Sequence, residues 1–159
     1  MDEERVGRRM LFVAWLLFFG LLFAFFYFYE RPAKNTYQIK NGAMIINADR
    51  QGHYVLDGTI DEQAVEFIVD TGATLVAIPE NVAEKLGLRH LYPITVKTAN
   101  GEVTGSLTRI DTLTFGQFTL HNVKAIIAPA SNDRLILLGM NVLSQFTITQ
   151  QDHRLEIKH

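Results

Sequence analysis

No cysteine occurs among the 159 residues. That absence excludes a disulfide framework, an iron–sulfur cluster, a thiolate zinc site and a cysteine nucleophile, and it leaves the redox compartment open. An excess of one charge is also missing, since 15 Lys and Arg stand against 17 Asp and Glu. Phosphate binding needs a basic surface, so no nucleic-acid partner is expected. The sequence has no glycine-rich phosphate loop, no solenoid repeat and no low-complexity tract. His53, His90, His121, His153 and His159 offer no metal-ligand spacing with carboxylate support, so neither a metal nor another cofactor is expected. Ser131 and Ser144 lack the context of a nucleophile elbow.

What is present is uneven. Seven of the 11 Phe lie between Phe12 and Phe28, inside a run over residues 10–29 with no charge or amide. As a helix such a run covers about 30 Å, the hydrocarbon core of a bilayer. Tyr27 and Tyr29 stand at its distal edge, where amphipathic rings favour the headgroup zone, and Pro32 follows as a helix stop. A cleaved signal peptide is the alternative. Its apolar region is shorter and ends in small residues, whereas residues 25–29 are bulky. The reading is a tail at 1–9, a transmembrane helix at 10–29, a linker at 30–42 and a folded domain at 43–159. Arg5, Arg8 and Arg9 before the helix nearly balance Arg31, Lys34 and Lys40 after it. The short tail is the part easily kept in the cytoplasm, so the domain is expected on the other side of the membrane.

The domain reads as all-β with one or two short helices, hence a barrel or sandwich. Short β-rich segments cover residues 43–47, 53–60 and 64–69, with a brief apolar run at 75–78. Pro79-Glu80 opens a helix over 80–86 that Gly87 closes. Glu80, Glu84, Lys85 and Arg89 read as its solvated face. Asn100-Gly101 is a two-residue hairpin signal with arms at 94–99 and 102–110. Asp111 reads as a turn residue before a strand at 112–115. Strands follow at 119–127 and 135–138, then a helical turn at 141–145 and a final hairpin, 146–149 with 154–158.

One segment carries chemistry. In Phe67-Ile68-Val69-Asp70-Thr71-Gly72-Ala73-Thr74-Leu75-Val76 a carboxylate leaves one apolar strand into a tight turn and the chain re-enters another. Burial there disfavours a charged carboxylate unless hydrogen bonds oppose it. Gly72 permits a sharp turn and close ligand approach. Three residues alone are a weak signal, and an Asx-type turn between strands is the bland reading. A second element, Leu137-Leu138-Gly139-Met140-Asn141, lies beyond the hairpin.

The ordered set of strand, Asp-Thr-Gly, strand, helix, hairpin, strands, apolar-apolar-Gly and short helix over residues 43–158 resembles the retropepsin-like aspartic proteases. The resemblance implies a closed barrel, the half-lobe of an acid protease. It implies peptide hydrolysis by a homodimer whose two copies of Asp70 form the catalytic pair, supported by Thr71 and Gly72. Thr71 is implied to bond across the dimer axis. Ala73, Thr74, Leu138 and Gly139 are implied to line the substrate cleft, and Ala99, Asn100, Gly101 and Glu102 to form the tip of a flap over an extended protein or peptide substrate. A plain hairpin turn without ligand contact remains the alternative for Asn100. Viral members carry an Asp and an Arg, an ion pair, where this chain has Thr74 and Met140. Both partners are absent together, which avoids an unpaired buried charge. The resemblance is nearer to bacterial membrane-anchored, single-domain members, which implies a single-pass inner-membrane chain whose domain faces the periplasm. A catalytically silent domain of the same fold, binding peptides or scaffolding a membrane complex, is the competing reading. Self-processing that frees the domain, with a cut in residues 29–37, is a further one.

Overall fold

The computed structural model describes residues 3–29, 37–98, 101–129 and 134–159. The chain separates into two units, Met1–Lys34 and Asn35–His159. The first holds helix α1 (Glu3–Tyr29). Trp15 packs on Phe18 and Phe19, ring centroids 5.8 and 5.7 Å apart, as side chains three and four positions apart on a helix do. Side chains are described over residues 11–25, where Phe12 and Phe23 are 71% and 74% exposed. Among the residues whose side chains are described, 11–25 in this unit, no helix is long and apolar enough to cross a membrane.

The second unit contains β1 (Gln38–Lys40), β2 (Ala43–Asn47), β3 (Val55–Ile60), β4 (Gln63–Val69), β5 (Val76–Pro79), α2 (Glu80–Leu86), β6 (Tyr92–Thr98), β7 (Gly101–Phe115), β8 (Phe118–Ala128), β9 (Ile136–Leu138), α3 (Met140–Leu143), β10 (Thr147–Gln151) and β11 (Arg154–Lys158). Seven strands form one sheet in the order β3-β4-β9-β5-β8-β7-β6, and a further pairing of β3 with β7 closes it. The chain is therefore mostly β with short helices in this unit, as the sequence suggests.

Closure has a sequence cause. At Gly58, opposite Phe115 in the β3–β7 ladder, an added Cβ would lie 2.3 Å from the Thr114 carbonyl and 2.7 Å from the Phe67 ring. Only glycine lets the two backbones meet there. The β3–β4 turn is tied to β7 as well: Asp61 donates its N–H to the Thr112 carbonyl, and its carboxylate accepts the Thr112 N–H at 2.8 Å.

A smaller sheet, β1-β2-β11-β10, is built from both ends of the unit. Its inward residues Met44, Ile46, Leu155 and Ile157 join the barrel residues Leu56, Ile60, Phe67, Ile110, Phe115 and Ile136 in one apolar core. Phe118, Phe146 and Phe115 seal the junction, with 4.6 Å between the rings of Phe118 and Phe146.

Most expected elements stand within a few residues of their places, with three corrections. Gln38–Lys40, inside the expected linker, pair with β2, while residues 30–36 lie outside the described residues. Asp111 is no turn residue: it sits within the 15-residue β7, whose hydrogen bonding continues to β8 on both sides of it. The ladder skips that one position opposite Asn122, which has φ +61°. The expected strand over 112–115 is accordingly the end of β7.

Candidate active site

The site begins with a crossing of strands. β9 pairs in parallel with β4, Val69 opposite Leu138, and antiparallel with β5, Ala77 opposite Leu137. It thus lies between the two strands that flank Asp70-Thr71-Gly72. Phe67, Val76, Ile78, Ile136 and Leu138 are fully buried beneath the crossing. β4 and β5 cannot pair with each other there, so the chain between them must form an open loop at the sheet end. Residue 70 is the first beyond the ladder.

The loop is held by backbone bonds. Asp70 donates its N–H to the Leu138 carbonyl at 3.2 Å, and Ala73 donates to the Asp70 carbonyl at 3.3 Å. One carboxylate oxygen, Oδ1, accepts the Gly72 N–H at 2.8 Å. This charge-assisted bond fixes the orientation of the carboxylate and leaves its other oxygen for other partners. Asp70 is half-buried and Thr71 and Gly72 are exposed, so the carboxylate is less enclosed than its apolar flanks suggest. The flanks face the core, and the residue beyond the ladder faces the opening.

Gly72 also serves the bond to Asp70. It is absent from the positive-φ glycines, so a left-handed turn does not explain it. A Cβ there would sit 3.1 Å from Asp70 Oδ1, in the way of the bond that orients the carboxylate.

Leu138 and Gly139, expected at the cleft, are buried and hold the loop instead. A Cβ on Gly139 would fall 2.4 Å from the Leu75 carbonyl and 2.9 Å from the Ala73 carbonyl. These are backbone atoms of the loop itself, so there is no side chain that could move aside. Behind this contact α3 donates to the loop: Met140 N–H to the Ala73 carbonyl at 2.8 Å and Asn141 N–H to the Thr74 carbonyl at 3.1 Å. Thr74 and Met140 are therefore joined to the same structure through main chain, with no charge involved. Asn141 also bonds through its side chain. The residues Met140-Asn141 were visible after the apolar-glycine pair, but nothing local in the sequence signals that role.

The hairpin β6–β7 pairs from Tyr92 with Leu107 to Thr98 with Gly101. Gly101, expected as a turn residue between arms at 94–99 and 102–110, is instead the first residue of β7 and pairs with Thr98 at φ +114°, so the hairpin register lies one residue earlier than the Asn-Gly signal implies. Glu102 is exposed and stands opposite Lys97. Ala99 and Asn100, the remainder of the expected tip, lie outside the described residues.

Among the described residues no group of three or more His, Asp or Glu is arranged to hold a metal ion. The histidines are scattered: His53 meets Asp49, His90 meets Glu80 at 3.1 Å, and His121 meets Thr112. A shallow depression lined by Ile45, Thr149, Arg154 and Glu156 belongs to the smaller sheet and contains no part of the Asp70 turn.

A closed barrel with a strand inserted beneath one Asp-Thr-Gly turn defines the half-size acid-protease fold. The family described as gag-polyprotein putative aspartyl protease matches residues 56–145, and the chain belongs to it as a retropepsin-like aspartic protease. A crystal structure of a retropepsin-like aspartic protease from Rickettsia conorii is similar, with TM-score 0.62 and 26% identity over 77% of this chain and 94% of that one. Two uncharacterized proteins are also similar. One, from the cobV 5' region of a Sinorhizobium species, is 32% identical over 62% of this chain and 44% of its own length. The other, from Rickettsia prowazekii, is 31% identical over 66% of this chain and 46% of its own length. The chain thus spans less than half the length of these curated relatives.

Proposed function

We propose that the chain is an aspartic endopeptidase that acts as a homodimer, one Asp70 from each subunit. The observation that carries this reading is the Asp70 carboxylate, oriented by the Gly72 N–H at the mouth of the strand crossing. One carboxylate cannot do the reaction alone. Two close together cannot both ionise, so one keeps its proton and the other stays charged. The charged one takes a proton from a bound water, whose oxygen attacks the scissile carbonyl carbon. The neutral one donates its proton to the carbonyl oxygen. The tetrahedral adduct then collapses, the C–N bond breaks, and the amine leaves with a proton returned by the pair.

In this reading Thr71 bonds across the dimer axis. The substrate is an extended segment of protein or peptide, pairing its backbone with strand edges beneath the β6–β7 flap. Helix α1 anchors the domain in the inner membrane, with the domain on the periplasmic face. The support is the unbroken apolar run over residues 10–29 within the helical backbone Glu3–Tyr29. Anchoring confines the subunits and raises their effective concentration, which compensates for the missing charged pair at Thr74 and Met140.

The test is cleavage of a diverse peptide pool by the full chain in detergent, from acidic to neutral pH, read by mass spectrometry beside Asp70→Asn. Cleavage by the wild type alone is expected, with Asp70→Asn lower by at least about 10³-fold because no charged base remains. Asparagine still accepts the Gly72 N–H, so its unfolding midpoint should match the wild type. Products from neither chain at high concentration would leave the silent peptide-binding domain as the better reading.

A further inference from the structure

The loop that presents Asp70 is pinned at its far end by one neutral side chain. Asn141 Oδ1 accepts the N–H of Val76 at 3.0 Å, and Asn141 Nδ2 donates to the Lys124 carbonyl of β8 at 2.8 Å. Its own N–H holds the Thr74 carbonyl, and its carbonyl accepts from Gln145 Nε2 at 3.0 Å. A single residue of α3 thus joins the exit of the Asp70 loop, the start of β5 and the middle of β8. The side-chain orientation is dictated by its partners: Val76 offers a donor, Lys124 an acceptor. Only an amide of this length answers both. A carboxylate would answer Val76 and oppose the Lys124 oxygen, and an apolar side chain would answer neither. Val76 is fully buried, so its N–H has no water to turn to.

We propose that Asn141 is a positioning residue for Asp70: it fixes the loop over residues 70–76 from the end opposite the carboxylate and so sets catalytic efficiency without touching substrate. This rests on the reading of Asp70 as catalytic. The loop is clamped at three points in sequence, by Leu138 at Asp70, by Met140 at Ala73 and by Asn141 at Thr74 and Val76. Asn141 supplies the last of these and the only side-chain bonds among them. A displacement of about 1 Å at a reacting group costs on the order of 10²-fold in rate.

The test compares wild type, Asn141→Asp and Asn141→Leu as full chains in detergent. Two readouts are taken: kcat and KM across pH on a peptide the wild type cleaves, and amide hydrogen exchange over residues 70–76. Asn141→Asp should lose about 10²-fold in kcat near neutral pH, with KM within about twofold. The deficit should shrink toward acidic pH, because a protonated carboxyl can donate to the Lys124 carbonyl. Asn141→Leu should stay impaired at every pH. Neither α3 nor β5 carries another titratable group; β8 brings His121 and Lys124, and the loop brings Asp70. All three are present in the wild type too, so the ratio of variant to wild type isolates residue 141. Exchange over 70–76 should accelerate in both variants near neutral pH, while β7–β8 peptides stay unchanged. Wild-type kcat in Asn141→Leu, or an Asn141→Asp deficit that ignores pH with exchange faster throughout the domain, would overturn the proposal. If the wild type cleaves nothing, the catalytic reading fails, and unchanged exchange over 70–76 in Asn141→Leu would separately refute the clamp.

Discussion

The base of the site and the β6–β7 hairpin are built in opposite ways. At the base, β4, β9 and β5 are backed by fully buried Phe67, Ile136, Leu138 and Ile78, and glycine lets backbone touch backbone. In the hairpin the side chains of residues 92–97 are exposed or half-buried. Its arms hold by their ladder and by cross-strand pairs such as Thr95 with Thr104, hydroxyl to hydroxyl at 3.2 Å. Such pairs contribute only about 0.2–1 kcal/mol each. The contrast separates two requirements of the proposed function. Chemistry needs a carboxylate fixed to a fraction of an ångström, and binding an extended peptide needs an arm that can adapt.

Two substitutions test this contrast. Gly139→Ala should be the most damaging, because its Cβ meets loop carbonyls at 2.4 and 2.9 Å. A loss of about 3 kcal/mol is expected in denaturant unfolding, at the upper end of overpacking costs, and an unchanged midpoint would mean the crossing is looser than described. Thr104→Ala in the hairpin should cost less than about 1 kcal/mol, with peptide KM responding more than the unfolding midpoint. A midpoint loss as large as that of Gly139→Ala would erase the distinction between the two regions.

The smallest effect belongs to neither region and serves as a baseline. Asp49 closes the turn before β3, its Oδ1 accepting the N–H groups of His53 and Gln51 at 2.8 Å each. The His53 N–H is the main cause that holds its carboxyl below the usual 3.8, with the Gln51 N–H and the His53 ring adding to it against the opposing effect of burial. A carboxyl lowered on folding stabilises the fold above its ordinary value, and that contribution is lost as pH falls through the lowered value. Asp49→Ala should therefore lower stability near neutral pH by less than about 1 kcal/mol, since the turn is solvent-screened. The difference from wild type should vanish at strongly acidic pH; a difference that persists there would assign the effect to something other than the charge.

Much of the domain was legible because its signals are local. The β2, β4, β5 and α2 segments, Gly87 as the helix cap with φ +68°, and the terminal hairpin each announce themselves within a few residues, and Asn100-Gly101 announces the β6–β7 hairpin though not its register. Asp111 misled because an Asp-Thr pair resembles a turn, while in the fold it lies inside a strand paired on both sides of it. Leu138 misled differently. Its motif was recognised, but a motif does not say which of its side chains faces the core.

The amino-acid sequence by itself determined the apolar run at 10–29, the all-β character of the rest, the single Asp-Thr-Gly turn and the family. Periodicity, turn chemistry and short motifs act over a few residues and can be read along the chain. The tertiary structure decided what holds the turn: β9 inserted between β4 and β5, Gly139 pressed against Leu75, and the Asn141 amide spanning to Val76 and Lys124. Those contacts join segments far apart in sequence. Their partners are backbone groups, which every residue carries alike, so no side-chain pattern could have announced them.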